Sequence, residues 1–504
     1  METRKCLLTL CCIVAFVMPY FGKDYKVIDF GAVGDGVTLN TEAIQSAIDH
    51  AHKQGDSRVI IPEGAFLTGS IHLLSGVELH IAEGAVLLGS VLHEHHEIAT
   101  KSYMRGIILA TDQTDISITG KGTIDGQGRE NGILLDSMFH AGLIDSIRYN
   151  HVEKRPRFYM RSMLIVFVKC KGIRIQDVTL KDAASWVQHY DRCENLIIDN
   201  ITVDSDAFWN NDGIDISDCK NVRVTNCDIN SADDGICLKS HFTDYVMDSV
   251  YVADCRVRSS ASAVKFGTKS EGGFRNVIIK NIEVYDTYRS AIAIESVDGG
   301  ILENIYIDSI HARNTGNAIF IKLGHREEER EVGTLKNVVL KNITVEVPWG
   351  RPDLEYDMRG PTLPFFHNTF PASITGMPGY PVENLVLENI TISYPGRGHK
   401  AMAYAPLDRL DAIPENSSHY PEFSMYGELP AWGFYLRHVD GLIMKNIKLS
   451  IEESDYRPAM VLDDVHNSAF SSFTIDDSAK EVDFYHIRSS ELMIGGPIKF
   501  NKLD

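Results

Sequence analysis

The sequence predicts an all-β fold: a single-stranded, right-handed parallel β-helix, a solenoid with long loop insertions. Three observations carry this. A short phrase recurs as IRIQDVTL, LIIDNITV, VRVTNCDI, VYVADCRV, VIIKNIEV, ILENIYI, VVLKNITV, LVLENITI and LIMKNIKL. Each copy alternates apolar and polar residues with period two and is rich in β-branched side chains, which suits a strand and not a helix. A polar marker within it falls at Asp177, Asn200, Asn226, Asp254, Asn281, Asn304, Asn342, Asn389 and Asn446. The first steps between markers are 23, 26, 28, 27 and 23 residues, and the later ones 38, 47 and 57. Coils of constant core that acquire loops give this spacing. Since each repeat buries its apolar face only on its neighbours, residues 23–504 are expected to form one domain.

Ahead of the coils, Arg4 and Lys5 precede an apolar run from Cys6 to about Phe21. The run is short for a membrane-spanning helix and lies where an export signal would, so residues 1–22 read as that signal. The mature chain is then secreted or periplasmic, without a transmembrane span. Leu8-Thr9-Leu10-Cys11 resembles a lipoprotein attachment site, with a large Leu10 before the cysteine, so lipid anchoring stays open. A formal charge of -20 argues against nucleic acid or an anionic membrane as partner. It still permits a local basic pocket, because charges are screened over roughly 8 Å at physiological salt.

Of nine cysteines, six lie beyond the signal: Cys170, Cys193, Cys219, Cys227, Cys237 and Cys255. None has C-x-x-C spacing, and most fall in strand patterns, which favours buried thiols over disulfides. Asparagine once per coil suits a turn, where it tolerates left-handed backbone. That explains Asn200-Ile-Thr, Asn342-Ile-Thr and Asn389-Ile-Thr without glycosylation and leaves Asn416-Ser-Ser as the acceptor candidate. Three stretches break the repeat, at 127–160, 348–381 and 394–437, all long, aromatic and rich in Pro and Gly. Such insertions on a rigid scaffold are binding walls or, failing that, edge caps.

The densest acidic chemistry is Asn210-Asn211-Asp212-Gly213-Ile214-Asp215, then Asp233-Asp234-Gly235-Ile236-Cys237-Leu238-Lys239. Asp212 and Asp233 are 21 residues apart, about one coil, so both segments should lie on neighbouring coils. Glycoside hydrolysis needs one protonated carboxyl for the leaving oxygen and an ionised one for water, roughly 6.5–9.5 Å apart when configuration inverts. Crowded carboxylates raise one another's proton affinity, which keeps an acid protonated near neutral pH. Solvated turn aspartates and a calcium site of oxygen ligands remain alternatives.

The same segments, Asn210-x-Asp212-Gly-Ile-Asp and Asp233-Asp234 one coil on, resemble the signature of the polygalacturonase family, glycoside hydrolase family 28. Val27-Ile-Asp-Phe-Gly-Ala-Val-Gly-Asp35-Gly, Ile61-Pro-Glu-Gly, Leu67-Thr-Gly-Ser-Ile-His and Ile118-Thr-Gly-Lys-Gly-Thr-Ile-Asp-Gly-Gln127-Gly resemble its opening coils in order. The resemblance covers about residues 25–310 and implies an inverting hydrolase of pectin-type polysaccharide, galacturonan or rhamnogalacturonan, that needs no cofactor. It implies Asp233 as general acid, Asp212 and Asp234 polarising the attacking water, and Asn210 orienting the cluster. Two family motifs are missing. Ser262 stands where a Gly-His-Gly histidine is expected, and Ala293 and Glu295 stand in the basic positions of an Arg-Ile-Lys strand.

Lys265 and Glu295, 30 residues apart, are expected to stack as an ion pair, either serving the sugar site or purely structural. Lys239, Lys269, Arg275 and Arg289 are further candidates for a uronate carboxylate, which arginine would grip bidentately. His367 and His399 lie in insertions from which they could reach substrate. His93-Glu94-His95-His96-Glu97 resembles a metal cluster but is far in sequence from the aspartates, and no metal is expected. The late insertions suggest exo action by closing one end of a groove. A polysaccharide lyase on the same fold and a non-catalytic carbohydrate-binding β-helix remain the alternative functions.

Overall fold

A computed structural model describes residues 22–356, 370–400, 406–476 and 482–503. Thirty-three strands form one parallel sheet that winds into a right-handed β-helix, and Tyr149–Asn150 pairs with Arg155–Pro156 in a small antiparallel ribbon. Each coil contributes three strands, and in-register pairing stacks them into three faces. One face, called here the site face, runs through Met163–Val168, Gln188–Asp191, Ile214–Ser217, Ile236–Ser240 and Val264–Ser270. It continues in the later coils through Ala372–Thr375 and Phe434–Asp440. Inward residues of this face, such as Ile214, Ile236, Val264, Ile292 and Ile319, form part of one aliphatic core. Outward residues form a continuous row: His189, Asp215, Cys237, Lys265, Ala293, Phe320, Ser373, Tyr435 and Val461.

The marker residues are corners with left-handed backbone, from Asp177 (φ 66°) through Asn281 (φ 54°) to Asn446 (φ 55°). Their side chains bond from coil to coil: Asn389 Nδ2 donates to Asn342 Oδ1 at 2.8 Å, and Asn446 Nδ2 to Asn389 Oδ1 at 2.7 Å. One marker is corrected. Lys280 pairs with Asp308, so the residue equivalent to Asn281 is Ser309 (φ 59°), not Asn304. Asn304 belongs to a second ladder with Asn276, Asn337 and Asn384 at another corner. The steps around that coil become 28 and 33 residues, closer to constant than the sequence suggested.

Two helices accompany the strands. Helix α1 (Thr41–Gln54) buries Ile44, Ala47, Ile48 and Ala51 on the first coils, covering an otherwise open edge. Helix α2 (Gly128–His140) lies in the first insertion. The third insertion lies on the site face. Its Leu410, Ile413, Phe423, Tyr426 and Leu429 form a second apolar cluster with the outward Ala293, Phe320, Tyr435 and Val461. Much of the second insertion, with His367, lies outside the described residues.

The six cysteines among the described residues are all buried free thiols. Asn416 donates its amide to the Met425 carbonyl at 2.6 Å, a bond that a glycan would compete with. Among the described residues no helix is long and apolar enough to cross a membrane.

Candidate active site

Asp-Gly-Ile recurs because consecutive coils touch there. A Cβ on Gly213 would lie 2.7 Å from the Gly235 carbonyl, and one on Gly235 2.7 Å from the Ala263 carbonyl. Gly213 N donates to Asp234 O at 2.8 Å and Gly235 N to Ser262 O at 2.9 Å. Ile214 pairs with Ile236, so continuing the register backward sets Asp212 above Asp234 and Asp234 above Ser262. The coil partner of Asp212 is therefore Asp234, not Asp233 as the 21-residue spacing suggested. Asp233, one residue back, is partly exposed, whereas Asp212 and Asp234 are buried. Asp233 Oδ1 accepts from Asp234 N at 2.9 Å, and its Oδ2 from Asn210 Nδ2 at 3.4 Å. Asn210 in turn accepts from Arg161 Nη2 at 2.8 Å.

Two buried ammonium groups separate the acids. Lys239 Nζ lies 3.2 Å from Asp212 Oδ2 and 2.8 Å from Asp215 Oδ1. Lys265 Nζ lies 3.0 Å from Asp234 Oδ2 and 3.9 Å from Glu295 Oε2. The expected Lys265–Glu295 pair is thus the weaker half of a bridge whose near partner is Asp234. The reason is register: Lys265 pairs with Ala293, which leaves Glu295 two residues further along the strand. Glu295 instead also accepts from Thr268 Oγ1 at 3.1 Å.

Burial and the neighbouring Asp234 raise the Asp233 carboxyl above the ordinary range. Burial would raise Asp234 as well, but Lys265, Lys239 and Arg289 hold it below that range. Asp212 is pushed well up by burial and by Asp215 and Asp233, against the pull of Lys239. Burial takes Asp215 to about 6 and Glu295 to about 7 despite their lysines. The arrangement sets an acid of raised proton affinity beside one of lowered affinity, the separation of roles that acid–base chemistry needs. Oxygen atoms of Asp212 and Asp234 and Cys237 Sγ lie within 4.8 Å of one another. A divalent cation there would face the Lys239 and Lys265 ammonium groups at once, which disfavours the calcium reading.

Of the other candidates, Lys239 is buried and pairs with both Asp212 and Asp215. Ser262 contributes its main chain, donating N–H to Asp234 Oδ1 at 3.1 Å. Arg289 Nη2 lies 3.6 Å from Glu422 Oε2. Lys269 pairs with Glu271 and Glu327, and Arg275 with Glu303. His399 is exposed. In the histidine-rich loop His95 bonds Ser90, His72 pairs with Glu97, and His96 is buried on the Ser90 carbonyl, so its members are dispersed.

Sequence reasoning missed Asp215, Arg161, Tyr420 and Glu422. Asp215 was legible, since it alternates with the inward Ile214 and Ile216 on a strand that points Asp212's neighbour outward. Arg161, almost fully buried, ties the Ala184 carbonyl and Asn210 together, which no local pattern signals. Tyr420, from the third insertion, accepts from Lys265 Nζ at 3.1 Å.

The profile of Glycosyl hydrolases family 28 matches residues 52–350. A probable polygalacturonase of Vitis vinifera is 27% identical over 411 residues, 74% of this chain and 75% of that protein. An exo-poly-alpha-D-galacturonosidase of Dickeya chrysanthemi is 24% identical over 380 residues, 64% of this chain and 62% of that protein. The crystal structure of a hyperthermoactive exopolygalacturonase from Thermotoga maritima superposes with a TM-score of 0.59 at 24% identity, covering 74% of this chain and 87% of that one.

Proposed function

The chain belongs to glycosyl hydrolase family 28, and from that membership we propose that it cleaves glycosidic bonds in a pectin-type, uronic-acid-containing polysaccharide or oligosaccharide with inversion, from a chain end. The observation that carries the chemistry is the pair on one turn: a partly exposed Asp233 whose carboxyl burial and Asp234 raise above the ordinary range, beside a buried Asp234 that Lys265 at 3.0 Å holds below it.

Asp233 donates its proton to the glycosidic oxygen as the bond from that oxygen to the anomeric carbon breaks. Water attacks the anomeric carbon from the opposite side and gives its proton to Asp234, with Asp212 orienting that water. Asp212 Oδ1 is buried and accepts no hydrogen bond from the described residues, which leaves it available to orient that water. Asn210 positions Asp233, and Lys265 sets the charge of Asp234. Lys239 shares its charge between Asp212 and Asp215, whereas Lys265 favours the ionised form of Asp234, so Asp234 is the one of the two kept open to receive the water's proton.

End-on action is supported by the third insertion. From the coil of Ala293 onward the outward row is covered by Leu410, Phe423 and Tyr426, so a groove running along the face stops just past Lys265. Residues 1–22 act as an export signal that places the β-helix of residues 23–504 outside the cytoplasm. The test is product analysis on pectin and rhamnogalacturonan fragments, with the anomer followed by NMR. Inverted monosaccharide products are expected. A retained anomer overturns the water attack, mixed oligomers overturn end-on action, and an unsaturated product absorbing in the ultraviolet makes the protein a lyase.

A further inference from the structure

We infer that the sugar seated against Asp233 and Asp234 is uncharged, a neutral glycosyl unit of a pectin-type chain and not a uronate; this rests on the hydrolase reading above. The argument is a balance of charge. Four cations lie near the acids: Lys239, Lys265 and Arg289, and Arg161, which bonds the Asn210 that holds Asp233. Six carboxyls face them: Asp212, Asp215, Asp233, Asp234, Glu295 and Glu422. Lys239 is shared by two acids and Lys265 by two. Arg289 is set opposite Glu422, and Arg161 is buried with its guanidinium bonded to the Ala184 carbonyl, the Trp209 carbonyl and Asn210. Among the described residues around the cluster, each of these cations thus already has a partner, and five carboxyls besides the proton donor Asp233 face the four cations before substrate arrives.

A uronate carboxylate would enter as a seventh acid. An ion desolvated without a free counter-charge costs several kcal/mol. Hydroxyl groups meet the opposite situation, because a lining of carboxylate oxygens accepts their protons as hydrogen bonds. The flank before Asp212 is aromatic: Tyr103, 53% exposed, meets Phe158 edge-on at 6.1 Å, and Phe158 stacks on Trp186 at 6.0 Å. Trp186 lies over Lys239 at 4.7 Å, so even this flank offers a ring where a uronate would need a cation. On the later coil Glu295 adds an acid 3.9 Å from Lys265, and Ala293 is packed under the third insertion.

The experiment incubates the full-length protein with pectic oligosaccharides capped by neutral sugars and by galacturonic acid, and identifies the released monosaccharide by anion-exchange chromatography and mass spectrometry. Neutral sugar is expected to be released at least about 100-fold faster than uronate, the ratio that roughly 3 kcal/mol of unmatched charge gives. Release of galacturonic acid at an equal or higher rate overturns the inference and leaves the hydrolase reading standing. Release of no sugar from any pectic substrate overturns the hydrolase reading and this inference with it. Glu422→Gln, which frees Arg289, is expected to raise the uronate-to-neutral ratio about tenfold at unchanged melting temperature. A folded variant with an unchanged ratio also counts against the inference.

Discussion

The site face has two halves built on one register. Up to Lys265 the outward row is His189, Asp215, Cys237 and Lys265; after it comes Ala293, Phe320, Ser373, Tyr435 and Val461. The first half holds ionisable groups set against one another, and the second is sealed by the third insertion into an apolar cluster. Strand pairing delivers outward side chains at the same spacing in both. The halves differ in what lies on top of them, so the site begins where the cover ends. If that is right, changes in the first half should act on chemistry and changes in the second on stability and product pattern.

The largest effect should come from the proton donor. Asp233→Asn is expected to lower kcat about 10³- to 10⁴-fold with circular dichroism and melting temperature unchanged, since general acid catalysis contributes on this scale. Activity within tenfold of the parent would remove Asp233 from the mechanism. Next is Lys265→Met. It leaves Asp234 and Glu295 buried without their shared cation, which costs about 3–5 kcal/mol in stability. It also raises the proton affinity of Asp234, so the acid limb of the pH–kcat/KM profile should move upward. In the parent that limb lies below the ordinary carboxylate range and the alkaline limb, set by Asp233, above it. A loss of stability with an unmoved acid limb would make Lys265 purely structural.

In the second half, Phe423→Ala should cost about 3–4 kcal/mol by opening a cavity in the cluster with Phe370 and Tyr426. If the insertion closes the groove, loosening it should let oligomeric products appear while the rate per site changes little. A variant equally destabilised but still releasing only monosaccharide would separate closure from stability.

Glu295 sits at the border between the halves, and its pH dependence is smaller. Its folded value of about 7 exceeds the ordinary 4.5, mainly through burial. The carboxyl therefore favours folding while protonated. That stabilisation is whole below about 4.5 and is lost as pH rises through about 7. Melting temperature should fall across this window in the parent and fall less in Glu295→Gln. Equal slopes would mean that Lys265 keeps Glu295 ionised throughout.

The repeat made the fold legible, because a buried period-two strand and a left-handed corner each leave a local mark, as in IRIQDVTL and its asparagine successors. The acidic segments were legible for the same reason: Asp212 and Asp234 flank glycines that close coil contact requires. What was not legible came from distance in sequence. Lys265 was assigned to Glu295 because spacing cannot resolve a shift of two residues within one strand. Asn304 was assigned to the wrong corner because a coil has two asparagine corners with similar surroundings. Tyr420 and Glu422 reach Lys265 and Arg289 from an insertion whose path no periodicity encodes.

The smallest expected effect tests whether the halves share one scaffold. The asparagine corners run behind both, with Asn200 Nδ2 bonded to Asp177 Oδ1 at 2.6 Å in the first and Asn389 Nδ2 to Asn342 Oδ1 at 2.8 Å in the second. Both have left-handed backbone, φ 54° and 59°. Alanine at either position loses one exposed side-chain hydrogen bond and sits in a conformation that disfavours a plain Cβ. Each change should therefore cost about 1–2 kcal/mol, by denaturant unfolding, without altering kcat/KM. Equal costs at Asn200 and Asn389 would show that the coils are interchangeable supports and that the contrast between the halves resides in the outward row and its cover. A much larger cost at Asn389 alone would mean that the covered half depends on its corners to hold the insertion, and the line drawn at Lys265 would then divide the scaffold as well as the site.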